Sequence, residues 1–162
     1  MIRARIEQDL DRLSAVLDAM RIPSSRLRGK DPKEWLQEYD AELSWVFDMA
    51  PVPVTPTKNV VGHIQVYRPA GESPFSHLAE YANEPADKLL AVGKHFVRPN
   101  TYEYGIGRYL LKESVEYIQS QGKIPTLELN GNGFLPQAFY EKFGFEEVPS
   151  GDPGETSMIY TK

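Results

Sequence analysis

Cysteine does not occur in this chain, which excludes a disulfide framework, a thiolate zinc site and a cysteine nucleophile, and leaves no sign of an oxidising compartment. Apolar runs long enough to cross a membrane are missing too. The N-terminus, Met1-Ile2-Arg3-Ala4-Arg5-Ile6-Glu7, turns polar too early for the apolar core of a signal peptide. A soluble protein is expected, with the cytoplasm as its default location and no membrane partner. Cations are in deficit, 18 Lys and Arg against 23 Asp and Glu for a net charge of -5, which argues against a nucleic-acid surface. The local basic cluster Arg26-Leu27-Arg28-Gly29-Lys30 reads as a solvated loop. Histidine is scarce, with three in all. His77 and Glu80 have helical spacing but no third ligand in view, so no metal site is expected. What remains, 162 residues of which 41% are hydrophobic, suits one compact domain over residues 1–162.

The most informative stretch runs from Val97 through Arg98-Pro99-Asn100-Thr101-Tyr102-Glu103-Tyr104-Gly105-Ile106-Gly107-Arg108 to Leu111. It reads as a strand end, a tight turn and the start of an amphipathic helix. Leu111, Val115 and Ile118 recur on one face, Leu110 and Tyr117 flank them, and Gly122 follows where a left-handed cap belongs. Gly105 and Gly107 thus stand at a helix entrance, where unpaired N–H groups and the positive end of the macrodipole suit a phosphate. A turn without ligand fits the same residues. Two nucleotide signatures fail here: Leu110 occupies the third small position of a dinucleotide fingerprint, and no Gly-Lys pair is followed by Ser or Thr as a triphosphatase loop requires.

Elsewhere, Ile2 to Arg5 predicts a short strand, and Leu10, Leu13, Leu17 and Met20 mark a helix ending before Pro23. Asp31-Pro32-Lys33-Glu34 has the form of a capping box opening a second helix. Strands are expected over Ser44 to Val54 and Asn59 to Arg68, as an antiparallel pair. Ala70 to Asp87, broken by Gly71, Pro74 and Pro85, reads as an insertion loop in which Ser76 to Tyr81 can make a helical turn. Leu89 to Val97 and Thr126 to Leu129 flank the long helix as parallel strands. Leu135, Phe139, Tyr140 and Phe143 lie on a short helix closed by Gly144, with Phe145 packing back. Glu146 to Val148 and Ser157 to Thr161 complete an α/β or α+β domain with a mixed sheet.

Val97-x-Pro99, Gly105-Ile106-Gly107 opening a helix, and Phe139-Tyr140-Glu141-Lys142-Phe143-Gly144-Phe145 together resemble the GNAT superfamily of acetyl-CoA-dependent N-acetyltransferases, and the order of elements fits over nearly the whole chain. The resemblance implies a mixed, mostly antiparallel sheet whose central parallel strands splay, flanked by helices. It implies acetyl-CoA as co-substrate, with Phe96 and Val97 offering main-chain groups to the pantetheine and thioester, and the turn Tyr102, Glu103, Tyr104, Gly105, Ile106, Gly107 and Arg108 holding the pyrophosphate. The sequence departs from the family pattern at several positions. Tyr102 stands where Gln or Arg is usual, Glu103 where Gly is frequent and Tyr104 where Arg or Lys is frequent. Gly133 stands where Asn often touches the pantetheine, with Asn132 and Asn130 nearby, and Pro136 takes a usual Ala position.

Tyr140 takes the family's general-acid position, from which it would protonate the departing thiolate; a core tyrosine is the alternative. His95, sharing a strand face with Val97, is the first candidate for the general base that frees the acceptor amine, against a hydrogen-bonded sheet histidine. Glu80 and Glu84 are weaker candidates, and His63 is read as structural. The expected partner is a small-molecule or peptide amine, and a homodimer is allowed. The acceptor would lie between Ile22 to Lys30 and Pro149 to Thr156, where Asp152 and Glu155 can meet a cation and Arg26, Arg28 and Lys30 an anion. A module that binds acyl-CoA or a partner without chemistry is the competing class.

Overall fold

The structure is a computed structural model that describes residues 1–49, 59–69, 75–100, 105–149 and 155–162. Among these residues seven strands form one sheet: β1 (Ile2–Ala4), β2 (Ala41–Asp48), β3 (Val60–Tyr67), β4 (Leu89–Val97), β5 (Ile124–Glu128), β6 (Phe145–Val148) and β7 (Ser157–Tyr160), in the order β1-β2-β3-β4-β5-β7-β6. Only the β4–β5 pair is parallel, running from Leu89↔Ile124 to Val92↔Leu127; the five other pairings are antiparallel. The connection from β4 to β5 is the helix α4 (Ile106–Ser120), as a parallel crossover requires. This is the mixed, mostly antiparallel sheet expected.

α4 buries Ile106, Leu110, Leu111, Val115 and Ile118 against Val61, Val66, Val92 and Leu127. Each such side chain contributes ~2 kcal/mol on burial, more than the helix gains from intrinsic propensity. It ends as its sequence predicts. Gly122 is left-handed at φ 70, its N–H donates to Gln119 O, and the Lys123 N–H reaches back to Ile118 O. The other sheet face carries α1 (Asp9–Ala19) and α2 (Pro32–Leu36), with Leu13, Leu17, Trp35 and Leu36 packed on Val46, Val60 and Phe96. Asp31 caps α2 by accepting the Glu34 N–H at 2.9 Å, and Pro32 sits in the first turn.

Beyond one-residue differences at strand ends, the structure departs from expectation at three places. β2 begins at Ala41 rather than Ser44, because Ala41 and Leu43 still find partners in Tyr67 and Val66 across a register shift. β5 covers Ile124–Glu128 rather than Thr126 to Leu129, since its pairing with β4 starts at Leu89↔Ile124. The segment read as an insertion loop contains α3 (Phe75–Ala82), which buries Leu78 in a cluster with Tyr67, Leu89, Ala91, Val148 and Ile159. The helical turn expected over Ser76 to Tyr81 is thus part of a two-turn helix stabilised by tertiary burial. The last helix, α5 (Gln137–Phe143), stops at Gly144, and Phe145 folds back against Tyr140 and Tyr160.

Candidate active site

The site grows from an irregularity in β4. Between the pairs His63↔Phe96 and Gln65↔Gly93, β3 has one residue, Ile64, whereas β4 has two, Lys94 and His95. Lys94 takes the left-handed conformation, φ 50, as the extra residue of a bulge. His63 pins this bulge. Its Nδ1–H donates to the Lys94 carbonyl at 2.7 Å, while its Nε2 accepts from Arg5 at 3.1 Å. The histidine read as structural therefore holds the strand in the shape the site needs. Burial and the Arg5 cation push its pKa down to about 3.

Beyond Val92↔Leu127 the parallel strands part. Asn130 and Gly131 carry the chain away from β4, and the next residues return: His95 N–H donates to Asn132 O at 3.0 Å and Phe134 N–H to His95 O at 3.4 Å. A Cβ on Gly133 would lie 2.5 Å from that His95 carbonyl, so glycine permits the return. The Arg98 N–H bonds Val61 O at 2.8 Å. In the alternation of an antiparallel ladder, Phe96 thus faces its main chain to β3 and Val97 turns its own to the opposite edge, the edge His95 shares. Of the two residues expected to offer main-chain groups, Val97 has them directed to the strand divergence. Asn132 is buried, and its side-chain amide donates to Glu128 O at 2.9 Å and to the Tyr67 hydroxyl at 3.4 Å.

On the α4 side of the divergence, His95 and Tyr140 meet. Nε2 of His95 lies 3.0 Å from the Gly107 carbonyl, and its Nδ1 lies 2.9 Å from the Tyr140 hydroxyl. The carbonyl can only accept, so Nε2 carries the hydrogen, Nδ1 offers its lone pair, and Tyr140 donates to it. Both side chains are buried, which lowers His95 to about 4 and pushes the Tyr140 phenol well up. The chain Tyr140, His95, Gly107 ties α5, β4 and the first turn of α4 together. That turn opens at Gly105, φ 68, with free space around its Cβ position. Ile106 is buried in the core, and Arg108 is exposed with its guanidinium 5.6 Å from the Phe143 ring. Tyr102, Glu103 and Tyr104 lie outside the described residues.

On the α2 side, the bulge directs Lys94 into a box that the sequence did not announce. Its ammonium is 3.0 Å from Glu38 Oε1, 4.1 Å from the centre of the Tyr39 ring and 4.3 Å from that of Trp35, with no side-chain exposure. Arg28 shares the same Glu38 oxygen at 3.3 Å. Burial outweighs these partners and lowers Lys94 to about 8. Next to this box opens a cleft of about 720 Å³, bordered by Ser25, Arg26 and Arg28 from the α1–α2 connection, Glu128 and Gly131 from the end of β5, and Glu155 before β7. Both segments expected to hold the acceptor contribute to it; Asp152 lies outside the described residues. Lys30 does not border it. Glu80 and Glu84 are exposed around a separate depression. Glu128, which sequence reasoning missed, is 5% exposed, accepts from Ser157 Oγ at 2.8 Å, and has its carboxyl pushed up by burial. Among the described residues no cluster of three metal-ligating side chains occurs, and no helix is long and apolar enough to cross a membrane.

Residues 54–147 match the family model of the acetyltransferase (GNAT) domain, and the chain belongs to this family of N-acetyltransferases. No curated protein matches it significantly. Solved structures share the fold over its length. A GNAT-family acetyltransferase from Staphylococcus aureus Mu50 is similar at 16% identity and TM-score 0.63, covering 99% of this chain and 97% of that one. The PaiA N-acetyltransferase from Thermoplasma acidophilum, solved with coenzyme A, is similar at 18% identity and TM-score 0.63, covering 100% and 98%. A GNAT-family acetyltransferase from Brucella melitensis, solved with acetyl-CoA, is similar at 18% identity and TM-score 0.57, covering 100% and 88%.

Proposed function

We propose that this N-acetyltransferase carries the acetyl group of acetyl-CoA to an amine by direct attack in a ternary complex. The observation that carries the proposal is the strand divergence itself, with the Tyr140, His95 and Gly107 chain on one side and, on the other, the residues Glu128, Gly131 and Gly133 that border the charged cleft. Val97 supplies main-chain groups at the edge of β4, where an N–H can polarise a thioester carbonyl as charge develops on its oxygen. The open space at Gly105 and the N-terminal N–H groups of α4 suit a pyrophosphate, and the stretch from Tyr102 to Arg108 is assigned to it. The complexes of the Brucella and Thermoplasma proteins with acetyl-CoA and coenzyme A support acetyl-CoA as the co-substrate.

Tyr140 is assigned as the proton donor to the leaving thiolate. Its hydrogen faces His95, so delivery to the thiolate requires the hydroxyl to turn about its C–O bond. His95 has both nitrogens engaged, and in this mechanism it orients Tyr140 and the α4 turn. Main-chain pairing at His95 and the buried Asn132 amide shape the wall along which the pantetheine runs. A thermal-shift titration tests the co-substrate. Acetyl-CoA and CoA should raise the melting temperature in proportion to RT ln(1 + [L]/Kd), while NADH and ATP do so far less. Equal shifts for all four, or none with millimolar CoA, would refute the assignment.

A further inference from the structure

The cleft gathers charges of both signs from different elements. Arg26 and Arg28 project from the α1–α2 connection, and Glu128 and Glu155 stand on the side of β5 and β7. Glu128 is the best-placed carboxylate. It ends β5, one residue past the last β4–β5 pair, on the sheet face opposite the core residue Leu127. It is nearly buried, yet each oxygen receives one donor, Ser157 Oγ at 2.8 Å and the Asn130 N–H at 3.4 Å, leaving lone pairs for a cation. In the same cleft, the Arg26 guanidinium rests 5.0 Å from the Phe134 ring and has no carboxylate within 4 Å among the described residues. Arg28 is oriented by Glu38 at 3.3 Å and the Asn130 carbonyl at 3.4 Å while its side chain stays 43% exposed.

We propose that the acceptor is a short zwitterion, an α-amino acid or similar aminocarboxylate, bound in the cleft with its ammonium on Glu128 and its carboxylate on Arg26 and on Arg28, which reaches the Asn130 carbonyl two residues from Glu128. The proposal rests on the acetyl-transfer reading and names the substrate class of the same site. A diamine would bring a second cation against two guanidiniums, and an amide or internal peptide would leave Arg26 without an anion; like charge and lost pairing both discriminate against them. Glu128 also takes up chemistry. It accepts one proton from the ammonium; the freed nitrogen pair attacks the thioester carbonyl carbon, the C–N bond forms and the C–S bond breaks with its electrons going to sulfur. The second nitrogen proton balances the one that Tyr140 gives to the thiolate, so the products are an N-acetylamino acid, CoA thiol and the proton held on Glu128.

The test is a matched series with acetyl-CoA: each common amino acid, its carboxamide and its decarboxylated amine, scored by thiol release and by mass spectrometry of the acetylated product. At least one amino acid should exceed its amide and its amine in kcat/KM by about 30-fold or more. Arg26→Gln and Arg28→Gln, shown folded by circular dichroism, should erase that preference. Glu128→Gln should lower kcat for the acid and abolish the rise of kcat/KM with pH that reports its ionisation. Titration of N-acetylamino acids against their amides adds a readout independent of turnover, with the free acid binding more tightly. Acetylation of amines or amides as efficiently as of acids, or a preference that survives both arginine substitutions, would overturn the zwitterion and leave the acetyl-transfer reading standing. No acetylation of any member, with acetyl-CoA bound, would overturn both.

Discussion

Acidification from pH 6 to 5 should destabilise the fold steeply, through two imidazoles that the structure keeps neutral. His63 and His95 are both fully buried, and each spends one nitrogen as donor to a carbonyl and the other as acceptor. Charging His95 would place a cation in the core, with Tyr140 as its only turnable partner among the described residues. Charging His63 would set it against the Arg5 guanidinium. Their folded pKa values, about 4 and about 3, lie below the ordinary 6.5. The unfolded chain therefore binds more protons between those values and 6.5, and stability present above pH 6.5 is lost as pH falls through that window. At pH 5.5 each histidine takes up ~0.9 proton on unfolding, so the pair gives a slope of roughly 2.4 kcal/mol per pH unit. Over the whole window that loss rivals the total stability of a domain, about 5–15 kcal/mol. Urea unfolding followed by circular dichroism at pH 5.0, 5.5 and 6.0 measures the slope before most carboxylates titrate. His95→Gln, which can accept from Tyr140 and donate to Gly107, should halve it. A wild-type slope below about 1 kcal/mol per pH unit would mean that these imidazoles charge in the folded protein, and the assigned hydrogen-bond directions would be wrong.

Tyr140→Phe should lower kcat on the order of 10²-fold with acetyl-CoA affinity nearly unchanged, since it removes proton donation and leaves packing in place; wild-type turnover with chemistry rate-limiting would assign the proton to another group. Gly105→Val adds no clash but forces a branched residue into φ 68, so it should cost about 1–3 kcal/mol in urea unfolding and weaken CoA binding severely in the folded fraction. For Lys94, whose folded pKa of about 8 lies below the ordinary 10.5, stability should rise with pH from 8 to 10.5, and Lys94→Met should flatten that rise. An unchanged rise in the Met variant would place its cause elsewhere.

Where the signal was local, the sequence could be read. The α4 face, the Gly122 ending, the Asp31-Pro32 cap and the Gly144 stop each depend on residues within a few positions of one another, and each appears in the structure. His95 and Val97 fall on one face because the bulge precedes both, so the two-residue period holds between them. That bulge itself was not legible. It arises from one unpaired residue in a β3–β4 ladder, and it alone sends Lys94 to Glu38, Tyr39 and Trp35. Glu128 was hidden for a similar reason: its burial and its place at the parting of the strands come from the pairing of β5 with β7 and β4. α3 was legible as a helical turn over Ser76 to Tyr81 within a segment broken by prolines, and its burial of Leu78 depends on strands far along the chain.

The central claim is that acetyl-CoA and an amine react directly in this cleft. Incubation of the protein with acetyl-CoA and the amine panel, with free thiol and acetylated amine quantified in the same reaction, tests it most directly. The account predicts equal amounts of the two products, formed only when amine, acetyl-CoA and protein are all present, and formed ~10²-fold more slowly by the Tyr140→Phe variant. Thiol release without acetylated amine, or no reaction with any amine while acetyl-CoA is bound, would contradict it.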